Sequence, residues 1–420
     1  MTDLKLVTNA DSGTADIVGG DDWDAAATKI NTYVNDSRAG AYYTVYLAGS
    51  NIKAFNGVTK VVDYTSTDFY TTMTNVFAAI PAVGGEVLLL DEVYSQGTGT
   101  LNVPNFTKVR GEGGKAQILV TGDFPIFTVG VSKGRITLDG LDLRHNQSGY
   151  TSGLLQIREG AQENTFKNLL FFDNNQKKGN GLHLYNAAAA GSTGLFKNRF
   201  INCEFYGFED CVRAEITNNS NWINGNSFTH CEFWLPTNSA YKTLGNSTTN
   251  HDANNFFNCQ VQAQTSGGNQ TACGFDYDHT GRHWTNTHVG CIVYDLGTGS
   301  HYARTNANTE LVLIGCTPAW KIGGSVPSVV RPIGWYTRAT GRSVFSGDGS
   351  TKTFTVTHNM NASQAPNIVL VKEGSSDSVG SWYVNDATIS TTQFTITYPI
   401  APPTGTNNLV YYWEVGYQPT

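Results

Sequence analysis

The densest run of titratable side chains in this chain is Asp276-Tyr277-Asp278-His279-Thr280-Gly281-Arg282-His283, and His183, Arg213 and Glu215 stand in comparable positions nearer the N-terminus. Residues two apart in a strand point to one side, so Asp276 and Asp278 share a face. Two chemistries suit such groups. Two carboxylates roughly 6.5 to 9.5 Å apart can hydrolyse a glycosidic bond with inversion, one as acid and one as base. Alternating aspartates can also offer oxygens to calcium, although that ion takes roughly 6 to 8 of them. The catalytic candidates are Glu215, Asp276, Asp278, Arg213 and His183, and the alternative for all five is a solvated sheet face. No cofactor is required by the sequence, and calcium is the one metal these residues bring to mind.

What must position them is a repeat. Leu141, Leu169, Cys203, Cys231, Cys259, Cys291 and Cys316 occupy one place in a local pattern, at steps of 28, 34, 28, 28, 32 and 25 residues. Three residues before each anchor stands Leu138, Phe166, Phe200, Phe228, Phe256, His288 or Leu313; two after it stands Leu143, Phe171, Phe205, Phe233, Val261, Val293 or Pro318. One residue before it comes Gly140, Asn168, Asn202, His230, Asn258, Gly290 or Gly315. Glycine and asparagine tolerate a left-handed backbone best, so that column predicts a tight bend between two short strands. Such a period with inward apolar columns marks a stacked solenoid.

Within that solenoid the cysteines read as an interior ladder of small, soft side chains; the spacing lacks the paired Cys-x-x-Cys of a zinc site, and seven is an odd number for disulfides. Asn164, Asn198, Asn226, Asn254 and Asn286, five residues before their anchors, predict a second ladder of stacked amides. Further along each coil, aligning Leu155, Leu182, Val212, Phe275 and Tyr302 as inward puts Gln156, His183, Arg213, Asp276 and Ala303 outward. Glu215 and Asp278 then lie two residues further on and two coils apart, which at strand spacing separates their backbones by roughly 9 to 10 Å.

Three segments follow. Residues 1–40 carry a short helix near Asp22 to Tyr33; residues 41–335 form the coiled shaft; residues 336–420 change to strands alternating by two, such as Phe354 to Thr357 and Leu409 to Trp413. Before the coils, Phe69, Met73, Val76, Phe77 and Ile80 make one helical stripe with Asp68 as its N-cap, a helix suited to close the end of the stack. In the last segment Trp382, Tyr411 and Trp413 are candidates for stacking on sugar rings, unless they fill the sandwich core or a trimer interface. A formal charge of −7 and no polybasic stretch argue against nucleic acid, and no apolar run is long enough for a signal or a membrane span. A soluble chain is expected.

The helix after Asp68, Gly84-Gly85-Glu86-Val87-Leu88-Leu89-Leu90, Val93-Tyr94, Leu101-Asn102-Val103 and Val109-Arg110-Gly111-Glu112-Gly113 resemble the opening of the pectate-lyase-like right-handed parallel β-helix superfamily. With the repeat, the resemblance covers roughly residues 60–320. It implies an all-β fold: a right-handed parallel β-helix with an N-terminal capping helix and a C-terminal antiparallel β-sandwich. The segment from Ile400 to Trp413 is similar to the ends of phage and archaeal virus tail-fibre proteins. Glu209-Asp210-Cys211-Val212 resembles a fragment of the acidic motif of polygalacturonases, but their Asn-Thr-Asp, Gly-His-Gly and Arg-Ile-Lys motifs do not occur, so the activity does not carry over.

The resemblance implies a viral tailspike-like, receptor-binding adhesin on the virion. It would be a homotrimer, docked to a tail or baseplate protein through residues 1–40 and touching a polysaccharide or glycoprotein of the host surface, without membrane insertion. A polysaccharide depolymerase, hydrolase or lyase, on the same scaffold is the competing expectation. A secreted cell-wall protein is the third.

Overall fold

The computed structural model describes residues 42–114, 116–174, 177–189, 193–263, 273–277, 279–295, 300–317, 322–324, 329–333, 337–358 and 365–417. The helix expected near Asp22 to Tyr33 and the residue Asp278 lie outside these. The chain divides into two compact units, one of residues 1–312 with 323–330 and one of residues 313–322 with 331–420.

In the first unit three parallel sheets are built from short strands that recur once per coil. A representative coil runs Thr165–Lys167, Leu170–Asp173 and Asn180–Asn186 before the next begins at Arg199–Ile201. Each strand pairs with its counterpart one coil on, as Phe166↔Phe200↔Phe228↔Phe256↔His288 on the first face and Phe171↔Phe205↔Phe233↔Val261↔Val293 on the second. This is the parallel β-helix expected from the repeat.

Stacking of like on like fills the interior. Ring centroids lie 5.0, 4.6 and 4.9 Å apart from Phe166 to Phe256, and 4.5 and 5.1 Å apart from Phe171 to Phe233, with planes within 16° of parallel. Offset stacks of this kind add to the burial of each ring. All seven cysteines are buried and stand outside any disulfide. The thiols of Cys231, Cys259 and Cys291 each reach the carbonyl of the phenylalanine one coil back, Phe200, Phe228 and Phe256, at 3.4 to 3.6 Å. Burial holds the thiols of Cys203 and Cys259 well above their ordinary range, so they pack as neutral side chains.

Every residue of the bend column is left-handed: φ is 64° at Gly140, 54° at Asn168, 52° at Asn202 and His230, 51° at Asn258, and 63° at Gly290 and Gly315. A second such column escaped the sequence reading. Phe106, Arg135, Glu163, Lys197, Gly225, Ala253 and Thr285 have φ between 54° and 66°. The backbone N–H that follows five of these, Arg135 through Ala253, is received by the asparagine ladder. Ile136 donates to Asn164 Oδ1 at 2.9 Å, Asn164 to Asn198 at 3.3 Å, Asn198 to Asn226 at 3.1 Å, Asn226 to Asn254 at 3.2 Å and Asn254 to Asn286 at 2.8 Å. The amides also bond one another from Asn164 to Asn254 at 2.8 to 3.0 Å. A left-handed conformation costs a residue with a Cβ about 1 to 2 kcal/mol. Satisfying the inward amide offsets that cost.

The N-terminal end is closed as expected. Asp68 caps the helix Phe69–Ala79 by accepting from Thr71 N at 2.8 Å, and Phe69, Thr72, Met73, Val76 and Phe77 are buried. Phe69 meets Tyr94 of the first coils at 5.0 Å. An antiparallel set, Tyr43–Ala48, Asn51–Asn56 and Val62–Ser66, extends the first face beyond Gly85–Leu89. No helix among the described residues is long and apolar enough to cross a membrane.

The second unit contains two three-stranded antiparallel sheets. Gly405–Tyr417 lies between Thr337–Gly347 and Ile368–Glu373, and Gln393–Thr397 lies between Thr353–Thr357 and Tyr383–Val384. Alternation supplies its core: Phe354, Val356, Phe394, Ile396, Leu409, Tyr411, Trp413 and Val415 point inward with Tyr398. The sandwich read from the sequence is present.

Candidate functional site

The third face of the helix carries the titratable candidates, as outward residues of Gly153–Arg158, Asn180–Asn186, Asp210–Ile216, Ser239–Leu244, Cys273–Tyr277 and His301–Thr305. Register links Gln156, His183, Arg213, Lys242, Asp276 and Arg304 in one column. The sequence alignment was one residue off in the last of these coils. Ala303, not Tyr302, pairs with the inward Phe275, so Arg304 is the outward residue; the connections between second and third strands vary in length, and spacing alone could not fix that slip.

In the neighbouring column Arg158, Tyr185, Glu215 and Leu244 follow one another. Glu215 Oε2 lies 3.1 Å from His183 Nε2 and 3.0 Å from Arg213 Nε. The hydrogen bond with His183, helped by the charge of Arg213, holds the Glu215 carboxyl below its ordinary range. A group held ionised in this way can accept a proton or balance charge; it is poorly suited to donate one. The buried Asp276 carboxylate is engaged by Arg304. Asp210 is its opposite: burial raises its carboxyl above the ordinary range, while Lys242 Nζ at 3.7 Å and donors from Asn238 and Ser239 at 2.7 Å hold it in place.

An acid and a base with such opposed environments would suit hydrolysis if they stood close. Asp210 and Glu215 are instead five residues apart on one strand, roughly 16 Å of extended chain. That exceeds the separation either glycosidase mechanism uses, roughly 5 to 9.5 Å. Among the described residues no group of three or more His, Cys, Asp or Glu is placed to hold a metal ion.

Two of the three C-terminal aromatic candidates take the core-filling alternative that the sequence left open. Tyr411 is fully buried with its hydroxyl against that of Tyr398, and Trp413 is 9% exposed. Alternation along Gly405–Tyr417 turns both into the core and leaves Tyr412 outside. Trp382 is half-buried against that core, its indole donating to Glu373 at 2.9 Å.

The second face holds a row that the sequence reading passed over. Three residues after each anchor, register aligns Arg144, Phe172, Tyr206, Trp234, Gln262 and Tyr294 on the outer surface. Phe172 and Tyr206 stack at 5.0 Å with planes 10° apart, and the Arg144 guanidinium covers Phe172 at 4.8 Å. Trp234 is 39% exposed and Tyr294 41%. The indole of Trp234 donates to Glu232 at 3.1 Å, which fixes the ring's attitude to the sheet. The signal was available: if the residue two after the anchor points inward, the residue three after it points outward, and three in succession are aromatic.

No protein-family model matches the chain, and no curated protein sequence does. Among solved structures it is similar to ORF18 of Geobacillus virus E2, with a TM-score of 0.50 and 14% identity over 81% of this chain and 75% of that one. Fainter likenesses are to tailspike gp49 of Pseudomonas phage LKA1, at 0.38 and 10% over 87% and 70%, and to the A-module of the Azotobacter vinelandii mannuronan C-5 epimerase AlgE4, at 0.29 and 12% over 64% and 94%. At 14% identity the likeness bears on architecture alone, and by that architecture the chain is a parallel β-helix protein.

Proposed function

We propose that this chain is a receptor-binding adhesin of a viral tail projection, which holds a cell-surface glycan against the second face of its β-helix. The observation that carries the reading is the outward row of Phe172, Tyr206 and Trp234, continued beyond Gln262 by Tyr294. Aromatic faces stack on the apolar faces of sugar rings. Stacked strands advance by roughly 4.8 Å per coil, a step on the scale of one ring, so the row offers successive platforms to an extended chain of sugars. The viral setting is taken from the likeness to the Geobacillus virus E2 protein. Assembly as a trimer and docking through residues 1–40 complete the reading.

The depolymerase is the second reading, favoured by the opposed carboxylates Asp210 and Glu215. Their separation and the ion pairs on Glu215 and Asp276 weigh against it. The test is retention of the purified chain on an array of bacterial surface polysaccharides, with reducing ends and unsaturated uronate followed in parallel. Binding to intact polymer, weakened roughly tenfold in Trp234→Ala and unchanged in the double variant Glu215→Ala, Asp278→Ala, supports the adhesin. Chain cleavage that the double variant abolishes replaces it with the enzyme. Light scattering after size exclusion decides the trimer, which a monomer at micromolar concentration contradicts.

A further inference from the structure

We infer that the first face carries a separate subsite for the anionic groups of an acidic polysaccharide, centred on Lys197 and Arg199. The inference deepens the glycan-binding reading and rests on it. An open groove of about 570 Å³ runs between Arg135, Glu163, Lys197, Arg199, Gly225 and Ser227. Its walls come from two neighbouring columns. Arg135, Glu163, Lys197 and Gly225 are consecutive members of the second left-handed column, and Arg199 and Ser227 are register partners on the adjoining strands.

Charge in the groove is unbalanced. Glu163 is its one carboxylate, and it is turned toward Arg135 at 3.5 Å. Lys197 Nζ lies 5.9 Å from the ring of Phe196, and among the described residues neither Lys197 nor Arg199 has an anionic partner. Both are exposed. The groove therefore holds a surplus of two positive charges in a chain whose formal charge is −7.

Space is reserved for a guest as well. Gly225 lines the groove without a side chain, and a Cβ built there would meet nothing nearer than the Lys197 backbone nitrogen at 4.0 Å. At the foot of the same column Phe106 is 46% exposed, with the Arg135 guanidinium 5.7 Å over its ring. Cations that can pair with carboxylate or phosphate oxygens, a hydroxyl from Ser227 and an exposed ring make up the chemistry of an acidic sugar chain. Arginine offers two parallel N–H groups to such an oxyanion and lysine a mobile point charge.

Full-length protein is titrated with fluorescent oligomers of polygalacturonate, of a polyol phosphate and of neutral dextran, at low and high salt. Tighter binding of at least one acidic polymer, weakening with salt and at least tenfold weaker in the double variant Lys197→Ala, Arg199→Ala, supports the subsite. Ser227→Glu, which places a carboxylate in the groove from an outward strand position, should act in the same direction. Preference for polygalacturonate assigns the subsite to uronates, and preference for the polyol phosphate to phosphodiesters. Equal affinity for acidic and neutral polymers, or an unchanged dissociation constant in the double variant, overturns it. Trp234→Ala separates the two ideas: if it weakens every polymer while the groove variants change nothing, the adhesin reading stands and the subsite falls. If the groove variants abolish binding that Trp234→Ala leaves intact, the aromatic row is not the binding face and the groove is.

Discussion

Replacing Asn226 by alanine tests the proposition that the asparagine ladder exists to satisfy the amides turned inward by left-handed corners. Asn226 Oδ1 accepts from both the backbone N–H and the side-chain amide of Asn198, at 3.1 and 3.0 Å, and its own amide donates to Asn254 at 3.0 Å. Both partners are buried. In Asn226→Ala the Asn198 side chain keeps the Ala161 carbonyl at 3.3 Å, and Asn254 Oδ1 keeps the Asn226 N–H at 3.2 Å. The Asn198 backbone N–H keeps nothing. Leaving one buried donor unpaired costs about 1 to 3 kcal/mol, and two further bonds lost at about 1 kcal/mol each bring the sum to about 3 to 5 kcal/mol. Guanidinium unfolding should show a lower midpoint with an unchanged slope. Asn255→Ala is the control, because Asn255 is only half-buried and makes a single local bond, to Ala253 O at 3.0 Å; it should cost less than about 1 kcal/mol. Equal losses in the two variants would refute the role assigned to the ladder.

Acid should destabilise the fold through its buried histidines. Burial lowers His145 and His288 to about 4. With an unfolded value of about 6.5, the unfolded state binds more protons in between; the stability present above about pH 6.5 is lost as pH falls toward 4, by about 2 kcal/mol per histidine at pH 5. A melting temperature unchanged between pH 7.5 and pH 5 contradicts this. In the second unit Tyr411→Ala should cost about 3 to 5 kcal/mol as a core deletion, while Tyr412→Ala, at a position 49% exposed, should be nearly silent; thermal melts of the two variants decide. The seven buried thiols should resist a disulfide reagent in the folded protein and all react in guanidinium. Rapid labelling of Cys203, Cys231 or Cys259 in the native state would break the ladder picture.

The fold was legible wherever residue type and backbone conformation coincide. Gly140, Asn168, Asn202 and Asn258 are types that accept positive φ, and the bend they announce is present in each coil. The phenyl and thiol columns were legible because a ladder in parallel register places like on like. The second corner was hidden because Arg135, Glu163, Lys197 and Thr285 are not residues that advertise left-handed backbone. After Arg135, Glu163 and Lys197 the next backbone N–H is held by an asparagine one coil on, Asn164, Asn198 or Asn226, and no single-residue propensity records that.

The site was less legible for a related reason. Outward residues of a solenoid are free of packing constraints, so their identity says little until register shows which of them are neighbours. His183, Arg213 and Glu215 share one face as the alternation implies, but only register and distance show that the carboxylate lies between the imidazole of His183 and the guanidinium of Arg213. Phe172, Tyr206 and Trp234 required only that the inward column be extended by one residue. An exposed tryptophan above a tyrosine and a phenylalanine contributes less to stability than the same rings would in the core, and lysine, glutamate or threonine would serve a solvated strand equally well. Hydrophobic surface kept outward in register over successive coils is therefore better explained by what it contacts than by what it supports.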